Sequence, residues 1–265
     1  MTRTILDKEL LELNRQIQQL GLLVEGALSK VLGALETSDL AMAGTVITSE
    51  ATIDRLRATI EEHTYHLLTM QQPLGGRDLR YLTSALSIAS DLKRMGDGAE
   101  GIAEILLRMV PLRSARASIN APSSSSKVAM TEASVTQSLI ELGREALRIL
   151  QGTMAAFTEH NAKAARCIWR EDDVIDVRYH LVRHDLMEMM AGAHAIPALQ
   201  RDSCILQRAT YMFWIAHKLE RIGDHCGNIC ERIIFSIEGQ PFCISRTEER
   251  NGASMLSDPF VSGRI

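Results

Sequence analysis

Two stretches of this chain repeat one another, and the repeat limits the folds open to it. Asp91-Leu92-Lys93-Arg94-Met95-Gly96-Asp97 and Lys218-Leu219-Glu220-Arg221-Ile222-Gly223-Asp224 share Leu, Arg, Gly and Asp at matching places, 127 positions apart. Upstream, the acidic pairs Glu50/Asp54 and Asp172/Asp176 recur at an offset of 122. So do the small-residue runs Asp39-Leu40-Ala41-Met42-Ala43 and Asn161-Ala162-Lys163-Ala164-Ala165. The second copy therefore carries about five more residues after its middle helix. A period this long describes two related halves, not a solenoid of short units.

Each half reads as three helices. Apolar residues recur at helical spacing over 5–37, with Thr37-Ser38-Asp39 as a stop and a new N-cap. A second helix covers 39–71 and ends before Pro73 and Gly75-Gly76; a third covers 79–110 and stops at Pro111. The second half repeats the plan over 127–158, 160–191 and 202–238. The domain reading is a first bundle at 1–110, a Pro/Ser-rich linker at 111–126, a second bundle at 127–238 and a polar flexible tail at 239–265. Short loops make sequential helices antiparallel neighbours. The fold class is all-α: two tandem three-helix bundles of six long helices, related by duplication. Aromatic residues make up only 4% of the chain, which also suits helices better than sheets.

The third helix of each half shows its packing face. Ala85, Ile88, Leu92, Met95, Ala99, Ile102 and Leu106 alternate steps of three and four, as do Met212, Ile215, Leu219, Ile222, Cys226, Ile229 and Ile233. Gly96 and Gly223 flank these seams and predict close helix approach, because a mid-helix Gly otherwise costs about 1 kcal/mol against Ala. Cys226 lies on the seam and reads as a small core residue; Cys230 follows four residues later.

Opposite the seam, His217, Glu220, Asp224, Asn228 and Glu231 form a polar stripe. A solvated helix face explains such a stripe. Two details favour a cation. Asp97 and Asp224 stand mid-helix at equivalent places, where Asp is a poor helix residue. Glu220 and Asp224 put like charges four residues apart, which is repulsive unless a cation lies between them. Glu50/Asp54 and Asp172/Asp173/Asp176 on the middle helices supply further carboxylates. Hard oxygen ligands of this kind suit Mg, Mn, Ca or ferric iron. His180 and His184 continue the second ladder but read as bystanders. The Glu-x-x-His pair of di-iron bundles is absent.

The formal charge of −4 and the lack of a basic stripe argue against nucleic acid. Five cysteines without a CxxC pair point to a reducing, cytoplasmic setting. The charged N-terminus lacks a signal-peptide core, and no apolar run is long enough to span a membrane. Membrane association then comes only through a partner.

At these residues the chain resembles the PhoU family, accessory regulators of bacterial phosphate-specific transport. The likeness covers residues 1–240. It rests on Gln71-Gln72-Pro73, Asp78-Leu79-Arg80, Thr83-Ser84-Ala85-Leu86 and Asp91 to Asp97, then on Leu219 to His225 and Asn228-Ile229-Cys230-Glu231. The resemblance implies multinuclear metal clusters on a Glu/Asp-x-x-x-Asp motif, with iron, zinc, manganese or magnesium as candidates. The metal-site residues are then Glu220, Asp224, Asn228, Asp172 and Asp176 in the second half and Asp97, Asp54 and Glu50 in the first. The first copy departs from the motif, because Lys93 stands where Glu is expected and Gly101 where Asn228 would be. An ammonium there either repels a metal or replaces one by pairing with Asp97, so fuller metal loading is expected in the second half. The resemblance further implies a non-enzymatic negative regulator of phosphate uptake and starvation signalling. Its partners would be the ATPase subunit of the phosphate ABC transporter, the phosphate sensor histidine kinase and a second copy in a homodimer. A metal-dependent hydrolase and a metal-free helical scaffold are the rival readings.

Overall fold

The structure, a computed structural model, describes residues 3–70, 74–117, 125–195 and 203–240. Its elements are α1 (Arg3–Thr37), α2 (Leu40–Met70), α3 (Gly76–Ala117), α4 (Ser125–Thr158), α5 (Ala162–Arg170), α6 (Asp172–Ala195) and α7 (Ser203–Glu238). Among the described residues there is no strand, and no helix is long and apolar enough to cross a membrane. All seam positions expected on α3 and α7 are buried, from Ala85 to Leu106 and from Met212 to Ile233. Gly96 lies against Ile53 of α2: a Cβ there would come 3.2 Å from the isoleucine side chain.

The first turn of each half is built alike. Ser38 and His160, 122 positions apart, both adopt positive φ, 60° and 49°. The left-handed residue ends one helix, and the next residue caps the following one. Asp39 Oδ1 accepts from the backbone N–H groups of Ala41 and Met42 at 2.9 and 3.1 Å. Asn161 Oδ1 accepts from Ala164 at 3.0 Å. These side chains satisfy helix-terminal donors that have no intrahelical acceptor.

Two expected boundaries move. The middle helix of the second half is interrupted at Glu171, so α5 and α6 replace one helix and the described residues form seven helices where six are expected. Glu171 donates its N–H to Ile168 O at 3.0 Å, a tightened last turn. Glu171, Asp172 and Asp173 then place three acids in a row, which suits a helix start better than a helix interior. Arg148 of α4, itself paired with Glu145 of the same helix at 2.7 Å, reaches the break through Glu171 at 2.6 Å. The proposed linker at 111–126 also shrinks, because α3 continues through Pro111 to Ala117 and α4 starts at Ser125. Proline removes one helical bond, to the carbonyl of Leu107. Leu107 is 38% exposed, so water can reach that end of the turn. Residues 118–124 and the tail from 241 lie outside the described residues.

The halves pack on each other about an approximate two-fold axis. A Cβ on Gly21 of α1 would meet the Met154 side chain of α4 at 2.5 Å, and one on Gly143 of α4 would meet Leu32 of α1 at 2.1 Å. These are one contact made twice with the roles exchanged, since Gly21 and Gly143, and Leu32 and Met154, are each 122 apart. The second crossing joins α3 to α7. There His225 Nδ1 lies 2.9 Å from Asp91 Oδ1, and Gly98 faces Ile222 and the backbone of Lys218. Asp91 and Lys218, like Gly98 and His225, are 127 apart. The buried apolar residues of both halves form one continuous cluster.

Two outcomes follow from this packing. The double substitution Gly21→Ala, Gly143→Ala is expected to lower stability by about 1–3 kcal/mol through overpacking, despite the higher helix propensity of Ala. An unchanged or raised urea midpoint would refute the interlock. The Arg148 guanidinium, through its hydrogen bond and then its charge, holds the Glu145 carboxyl below the usual range. A depressed carboxylate stabilises the fold above its unfolded pKa and loses that contribution as pH falls through the folded value. Arg148→Gln should therefore cost up to about 1 kcal/mol near pH 7, with the difference from wild type closing below about pH 4. A pH-independent difference would show that charge is not the cause.

Candidate functional site

Fixing the α3 and α7 seams turns the carboxylates toward α2 and α6. In the first half they surround a lysine. Lys93 Nζ lies 2.7 Å from Asp97 Oδ1, 3.3 Å from Asp54 Oδ1 and 3.7 Å from Glu50 Oε1. The ammonium is pushed above its ordinary pKa, first by the Asp97 hydrogen bond and further by Asp54, while burial opposes. Burial raises Glu50, with Asp54 and Glu100 adding to it and Lys93 pulling the other way. Glu100 is raised by burial and then by Glu104 and Asp97.

Oxygens of Glu50, Asp97 and Glu100 lie within 4.8 Å of one another, close enough for a cation. Lys93 is within ion-pair range of two of the three. A metal at this place would have to displace or neutralise an ammonium already held by three carboxylates, so the donor set does not fit one. Glu100 escaped the sequence reading because its equivalent in the second half is Gly227, and a search for duplicated acids passes over it. Its signal was the helical step of three from Asp97.

The second half carries the opposite charge at the same place. Glu220, the equivalent of Lys93, has its carboxyl raised by burial, then by Asp224 and Asp176, while His217 lowers it. His217 Nδ1 is 3.1 Å from Glu220 Oε2, with about half of the imidazole side chain exposed. Burial and Glu220 also raise the Tyr179 hydroxyl. No lysine or arginine pairs with Asp176, Glu220 or Asp224 among the described residues, nor is a trio there gathered as tightly as in the first half. Three like charges with no cation between them repel, and hard oxygen donors of this kind fit a divalent or ferric ion.

The remaining candidates disperse. The side chain of Asp172 lies outside the described residues. Asn228 lines a cleft against α3 with Asp91 and Arg94. Glu231 accepts from the Trp169 indole N–H at 3.2 Å. His184 is mostly exposed beside Asp185 and Glu188, and His180 packs on Tyr179. Cys226 and Cys230 are buried in the core.

The two halves predict substitutions of opposite sign in protein stripped of metal. Lys93→Met leaves Glu50, Asp54 and Asp97 without their cation and should destabilise by about 0.5–1 kcal/mol at neutral pH. Glu220→Gln relieves a like-charge pair and should stabilise by about 0.2–0.5 kcal/mol. Urea denaturation of both variants decides, and shifts of the same sign would refute the contrast.

Comparison with known proteins matches the duplication. A family model described as the PhoU domain matches residues 17–106 and again 139–233, once in each half. The phosphate-specific transport system accessory protein PhoU homolog of Streptococcus pneumoniae serotype 4 is 31% identical over 238 residues, covering 90% of this chain and 97% of the relative. Its Clostridium acetobutylicum counterpart is 27% identical over 240 residues, covering 91% and 97%. The crystal structure of the phosphate transport system regulatory protein PhoU from Streptococcus pneumoniae superposes with a TM-score of 0.68 at 30% identity, over 90% of this chain and 100% of that one. PhoU from Pseudomonas aeruginosa gives 0.71 at 24% identity over 88% and 99%, a likeness of fold. With the domain matched in both halves and relatives aligned along nearly their whole length, this chain belongs to the PhoU family.

Proposed function

We propose that this chain is a cytoplasmic negative regulator of phosphate uptake and phosphate-starvation signalling. In this reading it is an adaptor between the ATPase subunit of a phosphate ABC transporter and a sensor histidine kinase, and it works as a homodimer. The observation that carries it is the end-to-end match to relatives named as accessory proteins of phosphate-specific transport. The architecture supports the same reading. A continuous core fixes long helices in register and leaves charged faces outward for partners.

In the second half Glu220, Asp224 and Asp176 would hold a metal ion, with Asp172 four residues before Asp176. When bound, the ion supplies positive charge to an acidic face. The protein's own part is to bring α6 and α7 together so that carboxylates converge, with His217 and Tyr179 beside Glu220. Lys93 gives the first half a permanent cation of its own. The adaptor then has one metal-responsive face and one constitutive face.

The test joins metal content to partner capture. Protein purified without added metal is expected to carry ions that are lost in Glu220→Ala and Asp224→Ala and kept in Asp97→Ala. Immobilised full-length chain should retain the transporter ATPase or the kinase when metal and phosphate are present. Capture of neither partner sinks the adaptor reading. Equal metal loss from Asp97→Ala and Asp224→Ala sinks the division of labour between the halves.

A further inference from the structure

The crossing of α3 and α7 opens two adjoining clefts, one of which borders the first carboxylate cluster at Asp97. One, of about 240 Å³, is lined by Arg94, Lys218 and Arg221 together with Asp97 and His225. The other, of about 470 Å³, is lined by Arg94 and Arg232 with Asp91 and Glu231. Arg94 lines both, so the two clefts adjoin along its side chain and are taken together as one groove.

The charges along this groove are unequally engaged. Its carboxylates are already taken: Asp97 by Lys93 at 2.7 Å, Asp91 by His225 at 2.9 Å and Glu231 by the Trp169 indole at 3.2 Å. Arg94, Lys218, Arg221 and Arg232 make no ion pair with any described residue, in a chain with more acids than bases. A Cβ on Gly101 would fall 2.4 Å from Lys218 Nζ, so the ammonium lies across α3 in the space that a side chain at residue 101 would share. Unpaired cations, two of them guanidiniums meeting in one cleft, present the forked donors that bind oxyanions in bidentate fashion.

We infer that this groove binds a small multivalent oxyanion, with Arg94 and Arg221 as its central ligands and Lys218 and Arg232 toward its ends. Four cations spread over two linked clefts call for a ligand with several charged groups rather than one. Such a ligand is either a condensed phosphate or a polycarboxylate. The site lies between the two copies of the repeat and needs no metal.

Calorimetric titration of the full-length chain, freed of metal on chelating resin, tests this with sodium tripolyphosphate and with citrate as probes. Saturable one-to-one binding of at least one probe is expected, and the tighter probe identifies the charged group recognised. Arg94→Gln and Arg221→Gln should each weaken it about tenfold or more, the scale of losing a charge-assisted hydrogen bond. Lys30→Gln, which removes an equal charge from an exposed site on α1, should leave it unchanged. No saturable binding of either probe, or unaltered binding in the two arginine variants, overturns the inference. So does an equal loss in Lys30→Gln. If an arginine variant fails to fold by circular dichroism, the exposed Arg232→Gln takes its place, with weakened binding expected and wild-type binding overturning the site.

Discussion

The antiparallel contact of α3 with α7 governs the rest of the molecule. Each helix carries one copy of the repeated motif, and each buries its apolar seam. The motif polar residues must then emerge at the edges, toward α2 in one half and α6 in the other. The α1–α4 crossing repeats the arrangement with glycines, Gly21 receiving Met154 and Gly143 receiving Leu32. A side chain entering a glycine notch fixes both the separation and the register of two helices. Close packing of this kind tolerates little displacement. The carboxylate faces owe their positions to these contacts, not to anything in the faces themselves.

On that symmetric frame a single position breaks the symmetry. Lys93 and Glu220 occupy equivalent places on equivalent helices. Around Lys93 the acids close in, with three carboxylates inside 4 Å of the ammonium. Around Glu220 they raise one another's proton affinity instead. A lysine costs nothing to load and cannot be removed, whereas a carboxylate in its place makes charge balance depend on an external cation. One substitution thus separates a fixed surface charge from a conditional one without altering the helices beneath.

Much of this was legible from residue spacing. The a/d seams of α3 and α7 predicted their buried faces residue by residue, because helical period and burial are tied by geometry. Asp39 announced the first turn, because a short polar side chain at a helix start has a specific acceptor role; Asn161 plays the same part at the equivalent place in the second half. What spacing did not show was tertiary or non-duplicated. The break at Glu171 depends on Arg148 reaching from another helix. Glu100 belongs to a cluster only because α2 brings Glu50 to it, and nothing in the second copy corresponds to it. Pro111 reads as a helix end in one dimension, yet a proline whose lost bond faces water is tolerated within a helix.

The groove at the axis follows from the duplication itself. When a repeated helix packs antiparallel on its own copy, a residue near the axis meets its duplicate. Arg94 and Arg221 are such a pair, and they line the same cleft. Any charged residue at that place faces its like, which is unfavourable until an opposite charge lies between them. His225 and Asp91 resolve their own encounter internally, by a hydrogen bond across the axis. The two arginines have no such internal resolution, and Lys218 adds a third cation to the same cleft. A fold that assembles positive charge symmetrically, while tying up the nearby acids elsewhere, has the electrostatic form of a receptor for an anion.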